Sequence, residues 1–363
     1  MRRFAAFDPP EYFAWKPDPK LSRAFRATIE ADPERARVVR ALSPDDLLGL
    51  YAGLLRARLH DVQLKRWVRG GVISKAWLGT GEEATTVGPA RALERGVDIV
   101  APMIRNAAAC CEMGMAIADM LRAYLATADS PSRGRDVHVG DLARGVLQPI
   151  SPVGDMVPVV TGIALTFKLR GEGRVALTWV GDGATKTAAA HEGMNLAAVQ
   201  KVPAIFVLQN NQVALGTRLE AHHLPKDFRD LPASYGMFGA AFDGNHVLDA
   251  YAATALAAAR CRRGEGPVML VGDTFRMGGH ATHDETEARA TFPDAVFKAW
   301  GARDPVGLYE EYLREAGRTS AELEDVEAEV TLQLERAASE ALQSRARMPL
   351  GVSALEGVYA AGE

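Results

Sequence analysis

The chain has 363 residues, 48% of them hydrophobic and 24% charged, with a formal net charge of −4, a balance ordinary for a water-soluble globular protein. Lysine and arginine are spread along the sequence, so the basic stripe that phosphate-backbone binding requires is missing and no nucleic-acid partner is expected. No segment approaches the roughly 18 uninterrupted apolar residues of a membrane span, and Met1–Pro10 lacks the apolar run of a signal peptide, so no membrane partner and a cytoplasmic location are expected.

Residues 1–42 are rich in Pro, Arg and Asp without sustained periodicity and read as an arm over the surface or over a partner. Ser43-Pro44-Asp45-Asp46 then opens a long helix, with an N-cap, proline at the first helical position and acids in the first turn. Leu47, Leu48, Tyr51, Leu54, Leu55 and Leu59 give it an apolar face, and Gly70-Gly71 stops it. A second helix is expected from Glu82 to Arg95 and a third from about Ala108 to Thr127. Cys110, Cys111 and Cys261 lack CxxC spacing and read as buried free thiols. Residues 128–150, punctuated by Pro131, Gly134, Gly140, Gly145 and Pro149, read as loop.

From residue 151 the pattern alternates. Helices are expected at Val157–Leu169, Ala184–Gln200 and Val247–Arg262, and strands at Arg174–Val180, Ala204–Gln209, near Gly239–Phe242 and at Val268–Asp273. Alternation of this kind implies an α/β fold built on a doubly wound, mostly parallel sheet with helices on both faces. Helices near 291–301, 304–316 and 320–345 complete the chain. The expected organisation is an N-terminal arm (1–42), an α/β domain (43–290) and a C-terminal helical extension packed on it (291–363).

The informative stretch is Gly181-Asp182-Gly183-Ala184 followed, after 26 residues between Gly183 and Asn210, by Asn210-Asn211. One strand delivers Asp182 to its C-terminal tip, a helix crosses back, and the next strand delivers Asn211 to the same sheet edge, where open α/β sheets bind ligands. A carboxylate, an amide oxygen and a backbone carbonyl, that of Val213, would converge there as hard donors for Mg²⁺ or Ca²⁺. Gly181 and Gly183 let the backbone approach an anion, and a helix beginning near Ala184 would aim free N–H groups at it. The set suits a metal-bridged diphosphate.

Residues 171–217 resemble the thiamine diphosphate motif of the alpha subunits of 2-oxoacid dehydrogenases. The resemblance extends over roughly residues 45 to 360, through Thr80-Gly81-Glu82-Glu83-Ala84, Ser151-Pro152-Val153, Gly239 to Val247, Arg263 to Pro267 and Phe275-Arg276-Met277-Gly278-Gly279-His280. It implies a thiamine diphosphate-binding domain at 43–290, with thiamine diphosphate and Mg²⁺ as cofactors and Asp182, Asn211 and the Val213 carbonyl on the metal. It further implies that Arg105 grips the diphosphate, that Ser151, Val153, Gly181, Gly183, Ala184 and Gln209 line the cofactor, and that His280 stands near the diphosphate and the reacting centre as the catalytic residue.

The implied activity is oxidative decarboxylation of a small-molecule 2-oxoacid with acyl transfer to a lipoyl group on an acyltransferase core. The chain would be the alpha half of an α₂β₂ heterotetramer with a beta subunit. An acetoin dehydrogenase alpha subunit and a degenerate, non-catalytic paralogue are the alternatives. Ile104 stands where the family has tyrosine, Thr187-Ala188 replaces Glu-Gly, Ala281 replaces a serine that can be phosphorylated, and Asp155-Met156 replaces Thr-Gln. His191 reads as an interior structural histidine, His138 has no assigned role, and His222-His223 lacks a helical metal-site partner.

Overall fold

Five mostly apolar runs form one parallel sheet in the computed structural model, which describes residues 1–225 and 227–357. These are β1 (Ile99–Ala101), β2 (Ala176–Gly181), β3 (Ala204–Asn210), β6 (Phe238–Asp243) and β7 (Val268–Asp273), in spatial order β1-β2-β3-β7-β6. Every neighbouring pair is parallel, with Gly181 opposite Gln209 and Asn210 opposite Asp273. Between β3 and β6, Val213–Ala214 (β4) and Thr217–Arg218 (β5) make a small antiparallel hairpin.

β2, β3 and most of β7 are buried along their length because both faces of the sheet are covered. Leu177, Trp179, Ile205, Val207 and Leu270 point into a core shared with helix Val247–Arg262. Ala176, Val180, Phe206, Leu208 and Met269 point the other way, against helices Met156–Arg170 and Ala188–Gln200. This period-two division between two cores is what a buried parallel sheet requires. The expected α/β architecture is therefore present.

Several local expectations are corrected. Residues 1–42 hold three helices, Pro10–Phe13, Pro19–Glu30 and Pro33–Arg40. The second and third begin at Asp-Pro steps whose aspartates cap them, Asp18 accepting from the Lys20 N–H and Asp32 from the Glu34 and Arg35 N–H groups. The expected helix over 108–127 breaks at the left-handed Gly114 into Ala107–Glu112 and Ile117–Tyr124. The long helix Pro44–Arg69 has the expected Ser43 cap and ends at Gly70. Phe25, Ile29 and Val39 from the first segment, Leu50, Leu54 and Val247 from the middle, and Val306, Tyr309 and Leu323 from the last share one core. No helix among the described residues is long and apolar enough to cross a membrane.

Candidate cofactor and metal site

Parallel strands put all their C-terminal ends on one edge, and the loops leaving that edge carry the charged residues of the site. Arg105 and Asn106 follow β1, Asp182 follows β2, Gln209 is the penultimate residue of β3 with Asn211 just beyond its end, and Arg276 and His280 follow β7. The chain turns at Asp182 into a short 3₁₀ segment, Gly183–Lys186, and the helix proper starts only at Ala188. The helix expected to begin near Ala184 therefore starts four residues later, because Thr187 Oγ1 accepts the Ala190 N–H as its cap.

A fully buried glutamate joins these loops. Glu82 Oε1 accepts from Asn211 Nδ2 at 2.9 Å and from Gln209 Nε2, while Glu82 Oε2 lies 3.8 Å from Arg105 Nη1. Gln209 Oε1 in turn accepts from Asn106 Nδ2 at 2.9 Å. Because the Asn211 amide nitrogen is committed to Glu82, its oxygen is the free end, held among the described residues only by a long 3.3 Å bond from the Val213 N–H. That orientation makes the oxygen available to a cation.

Asp182 Oδ1 accepts from the Gly183 N–H at 3.0 Å, but Oδ2 is buried without a hydrogen-bond partner among the described residues. Burial pushes this carboxyl above its ordinary range, against the opposing pull of the Gly183 N–H, His222, Arg105 and Arg276. The same orphaned state recurs around it, at Glu82 Oε2, Arg105 Nη1, Arg276 Nη1, both ring nitrogens of His222 and His280 Nδ1. Burial and the neighbouring Arg105 charge push Arg276 down to about 10. Two arginines that repel one another and keep unpaired nitrogens fit a multiply charged anion between them, and an unpaired buried carboxylate oxygen fits a cation.

The residues expected for the cofactor divide into two groups. Asp182, Gln209 and Asn211 are buried in one cluster with Arg105, whose guanidinium stands 3.8 Å from where a Cβ on Gly181 would lie. Gly183 closes against the small hairpin: an added Cβ would meet Ala214 Cβ at 2.5 Å. Val213 opens that hairpin, and Ala184 is half-buried in the 3₁₀ turn. Ser151 and Val153 do not join the cluster; both are exposed, on a loop whose Gly154 abuts Ala184 and Thr187. No group of three or more His, Cys, Asp or Glu among the described residues makes a metal site, so a metal here would depend on amide, carbonyl and ligand oxygens as well.

His280 is held by its backbone N–H, which donates to Asp284 Oδ2 at 3.0 Å, while the Ala281 N–H donates to Asp284 Oδ1 at 2.7 Å. Burial, with the Arg105 and Arg276 charges, pushes its imidazole down to about 4. His191 is not interior: it is exposed and pairs through Nδ1 with the Tyr235 hydroxyl. The cysteines are free, Cys110 and Cys261 buried and Cys111 half-buried.

Sequence reasoning gave no role to Glu82 or Arg276, and it set His222 aside for want of a helical metal-site partner. The first two lie inside blocks that carried the family resemblance, and a buried charge expected beside another charge would have been the signal. His222 had none, because the hairpin that brings it to Asp182 is a tertiary feature.

Comparison with known proteins gives this geometry a class. A family model described as dehydrogenase E1 component matches residues 54–349. The chain is 31% identical over 322 residues to the 2-oxoisovalerate dehydrogenase subunit alpha of Bacillus subtilis, covering 88% of this chain and 97% of that one. It is 32% identical over 301 residues to the 3-methyl-2-oxobutanoate dehydrogenase subunit alpha of Mycobacterium tuberculosis, covering 80% and 76%. To the pyruvate dehydrogenase E1 component subunit alpha of Bacillus cereus it is 31% identical over 290 residues, covering 78% and 74%. The chain belongs to the dehydrogenase E1 component family, and these relatives are alpha subunits within it.

Proposed function

We propose that the cluster binds the diphosphate of thiamine diphosphate through a divalent metal, and that the chain is the alpha subunit of a 2-oxoacid dehydrogenase. The observation that carries the reading is the set of unpaired buried polar atoms at the sheet edge: Arg105 and Arg276 offering positive charge to an anion, and Asp182 Oδ2 offering negative charge to a cation. Asp182, the Asn211 side chain and the Val213 carbonyl would hold Mg²⁺, whose oxygen preference they match. Gly181, Gly183 and Ala184 would pass close to the diphosphate, with Gln209 keeping Glu82 and Asn106 in place. Ser151 and Val153 would line the cofactor from their exposed loop once a partner chain covers it.

The cofactor would supply the carbanion that attacks a 2-oxoacid, and this chain's task is to anchor it and tune the charge around it. His280, kept neutral by burial and by the two arginine charges, can accept a proton near the reacting centre. The acyl group would pass to a lipoyl group on an acyltransferase core. A beta subunit is the expected partner, in an α₂β₂ heterotetramer. Val159 and Leu169 on helix Met156–Arg170, with Leu196 and Val199 on helix Ala188–Gln200, expose an apolar face beside the Ser151–Gly154 loop, which suits such a partner. The test is 2-oxoacid-dependent reduction of an artificial electron acceptor by the chain co-expressed with its beta subunit, with pyruvate and branched-chain acids compared. No turnover on any 2-oxoacid at saturating thiamine diphosphate and Mg²⁺ would overturn the assignment.

A further inference from the structure

His222 and His223 are adjacent yet treated oppositely by the fold. His223 is fully engaged: Nδ1 is 2.7 Å from Lys186 Nζ, Nε2 is 3.1 Å from the Asp227 carbonyl, and the ring stacks on Phe228 at 3.8 Å between centroids. These contacts fix the turn Leu219–His222 against the 3₁₀ segment that follows Asp182. Fixed in this way, His222 turns inward. Both of its ring nitrogens are buried with no hydrogen-bond partner among the described residues, and Nε2 lies 3.6 Å from the equally unpaired Asp182 Oδ2.

Two buried groups of opposite character that face one another at 3.6 Å without a hydrogen bond are placed as two donors to a single ion would be. Ligands about 2.1 Å from a single ion stand roughly 3.0 Å apart at a right angle and roughly 3.4 Å apart at the tetrahedral angle. A separation of 3.6 Å therefore needs only a few tenths of an ångström of closure to share one ion.

We infer that His222 is a metal-coordinating residue, its Nε2 joining Asp182 on the dication so that the donor set mixes nitrogen with oxygen. This rests on the metal reading proposed for Asp182 and adds a consequence that reading lacks. Mg²⁺ and Ca²⁺ accept oxygen donors and gain little from imidazole, whereas Co²⁺ and Zn²⁺ gain strongly. The site therefore favours a transition ion over Mg²⁺ by more than an all-oxygen site would, and His222 is the source of the difference.

The experiment uses the full chain in the assembly in which it purifies, stripped of metal and saturated with thiamine diphosphate. Co²⁺ and Mg²⁺ are titrated separately by calorimetry, and the visible spectrum of the Co²⁺ form is recorded. His222→Ala is expected to weaken Co²⁺ by about tenfold or more, since losing even an outer partner of a metal ligand costs that much, while changing Mg²⁺ by less than about threefold, and to alter the Co²⁺ absorption bands. Equal losses for the two ions, no loss for either, or a lowered melting temperature of the metal-free variant with an unchanged ion preference would each overturn the inference. Asp182→Ala separates it from the reading beneath: if that variant binds both ions as wild type does, or if wild type binds neither, the metal assignment itself falls and the His222 ligand with it.

Discussion

Replacing Asp182 by alanine deletes the one carboxylate of the proposed metal set and leaves Arg105 and Arg276 without a neutralised partner for the diphosphate. Metal-dependent affinity for thiamine diphosphate, measured by calorimetry, should fall by at least about tenfold; an unchanged affinity would remove the metal assignment. His280 behaves differently because it sits on a Gly-preceded loop after β7 and not within a helix or strand. His280→Ala should lose turnover in the reconstituted assembly while its melting temperature at neutral pH stays close to wild type, and retained turnover with a large fall in melting temperature would make the residue structural. Its protonation has a sign that can be worked out. The folded imidazole is pushed from 6.5 down to about 4, so on acidification the unfolded chain takes up this proton first. The residue is therefore neutral to stability above about pH 6.5 and destabilises the fold progressively from there to about pH 4. His280→Asn should flatten the acid slope of a calorimetric melting curve in that window; identical slopes would show that the histidine titrates normally.

Thr187 illustrates how an element's boundary is set by one side chain. It accepts from the Ala190 N–H at 3.2 Å and donates to the Ala184 carbonyl at 3.0 Å, which ends the 3₁₀ turn and starts the helix. Thr187→Ala should cost about 1 kcal/mol of unfolding free energy, read from denaturant midpoints, with Thr187→Ser restoring most of it; no change would mean the turn is held by Asp182 alone. Helix starts of this kind are legible in sequence when a capping residue precedes a proline, as at Ser43-Pro44. The same signal stood at Asp18-Pro19 and Asp32-Pro33, where scattered arginines hid the short apolar sets Phe25, Ile29, Ala36 and Val39 that those helices bury.

At the scale of the molecule, Arg58 ties the two chain ends to the site. Fully buried, it bonds Glu83 Oε1 at 2.5 Å and Asp304 Oδ1 at 2.8 Å and lies 4.4 Å over the Tyr12 ring, while Arg3 pairs with the other oxygen of Asp304. Glu83 also accepts the Gly81 N–H, next to the Glu82 that orients Asn211. Arg58→Ala would strand the buried Glu83 carboxylate and leave Asp304 with Arg3 as its remaining arginine, and should cost about 3–5 kcal/mol, seen as a lowered unfolding midpoint; a midpoint shift under about 1 kcal/mol would mean water or rearrangement replaces the pair. The proposed assembly has its own test. Leu196→Lys or Val199→Lys, on the exposed apolar face, should abolish co-purification with the beta subunit while leaving the chain folded, and the chain purified without a partner should not turn over a 2-oxoacid.

The order of strands and helices from residue 151 onward followed from the sequence alone, because buried strands and crossover helices each need a continuous local run of apolar residues. The Asp182 and Asn211 pair followed too, since their spacing is one crossover long and parallel strands must end on one edge. What the sequence could not supply was which charges meet. Glu82 comes from a helix start 129 residues before Asn211, Arg276 from a loop after β7, and His222 from the turn after a small hairpin that folds back onto Asp182. Contacts of that sequence separation leave no periodic trace. They are decided by the sheet order β1-β2-β3-β7-β6, which brings the loops after β1, β2, β3 and β7 to one edge and so sets which buried groups share a low-dielectric site.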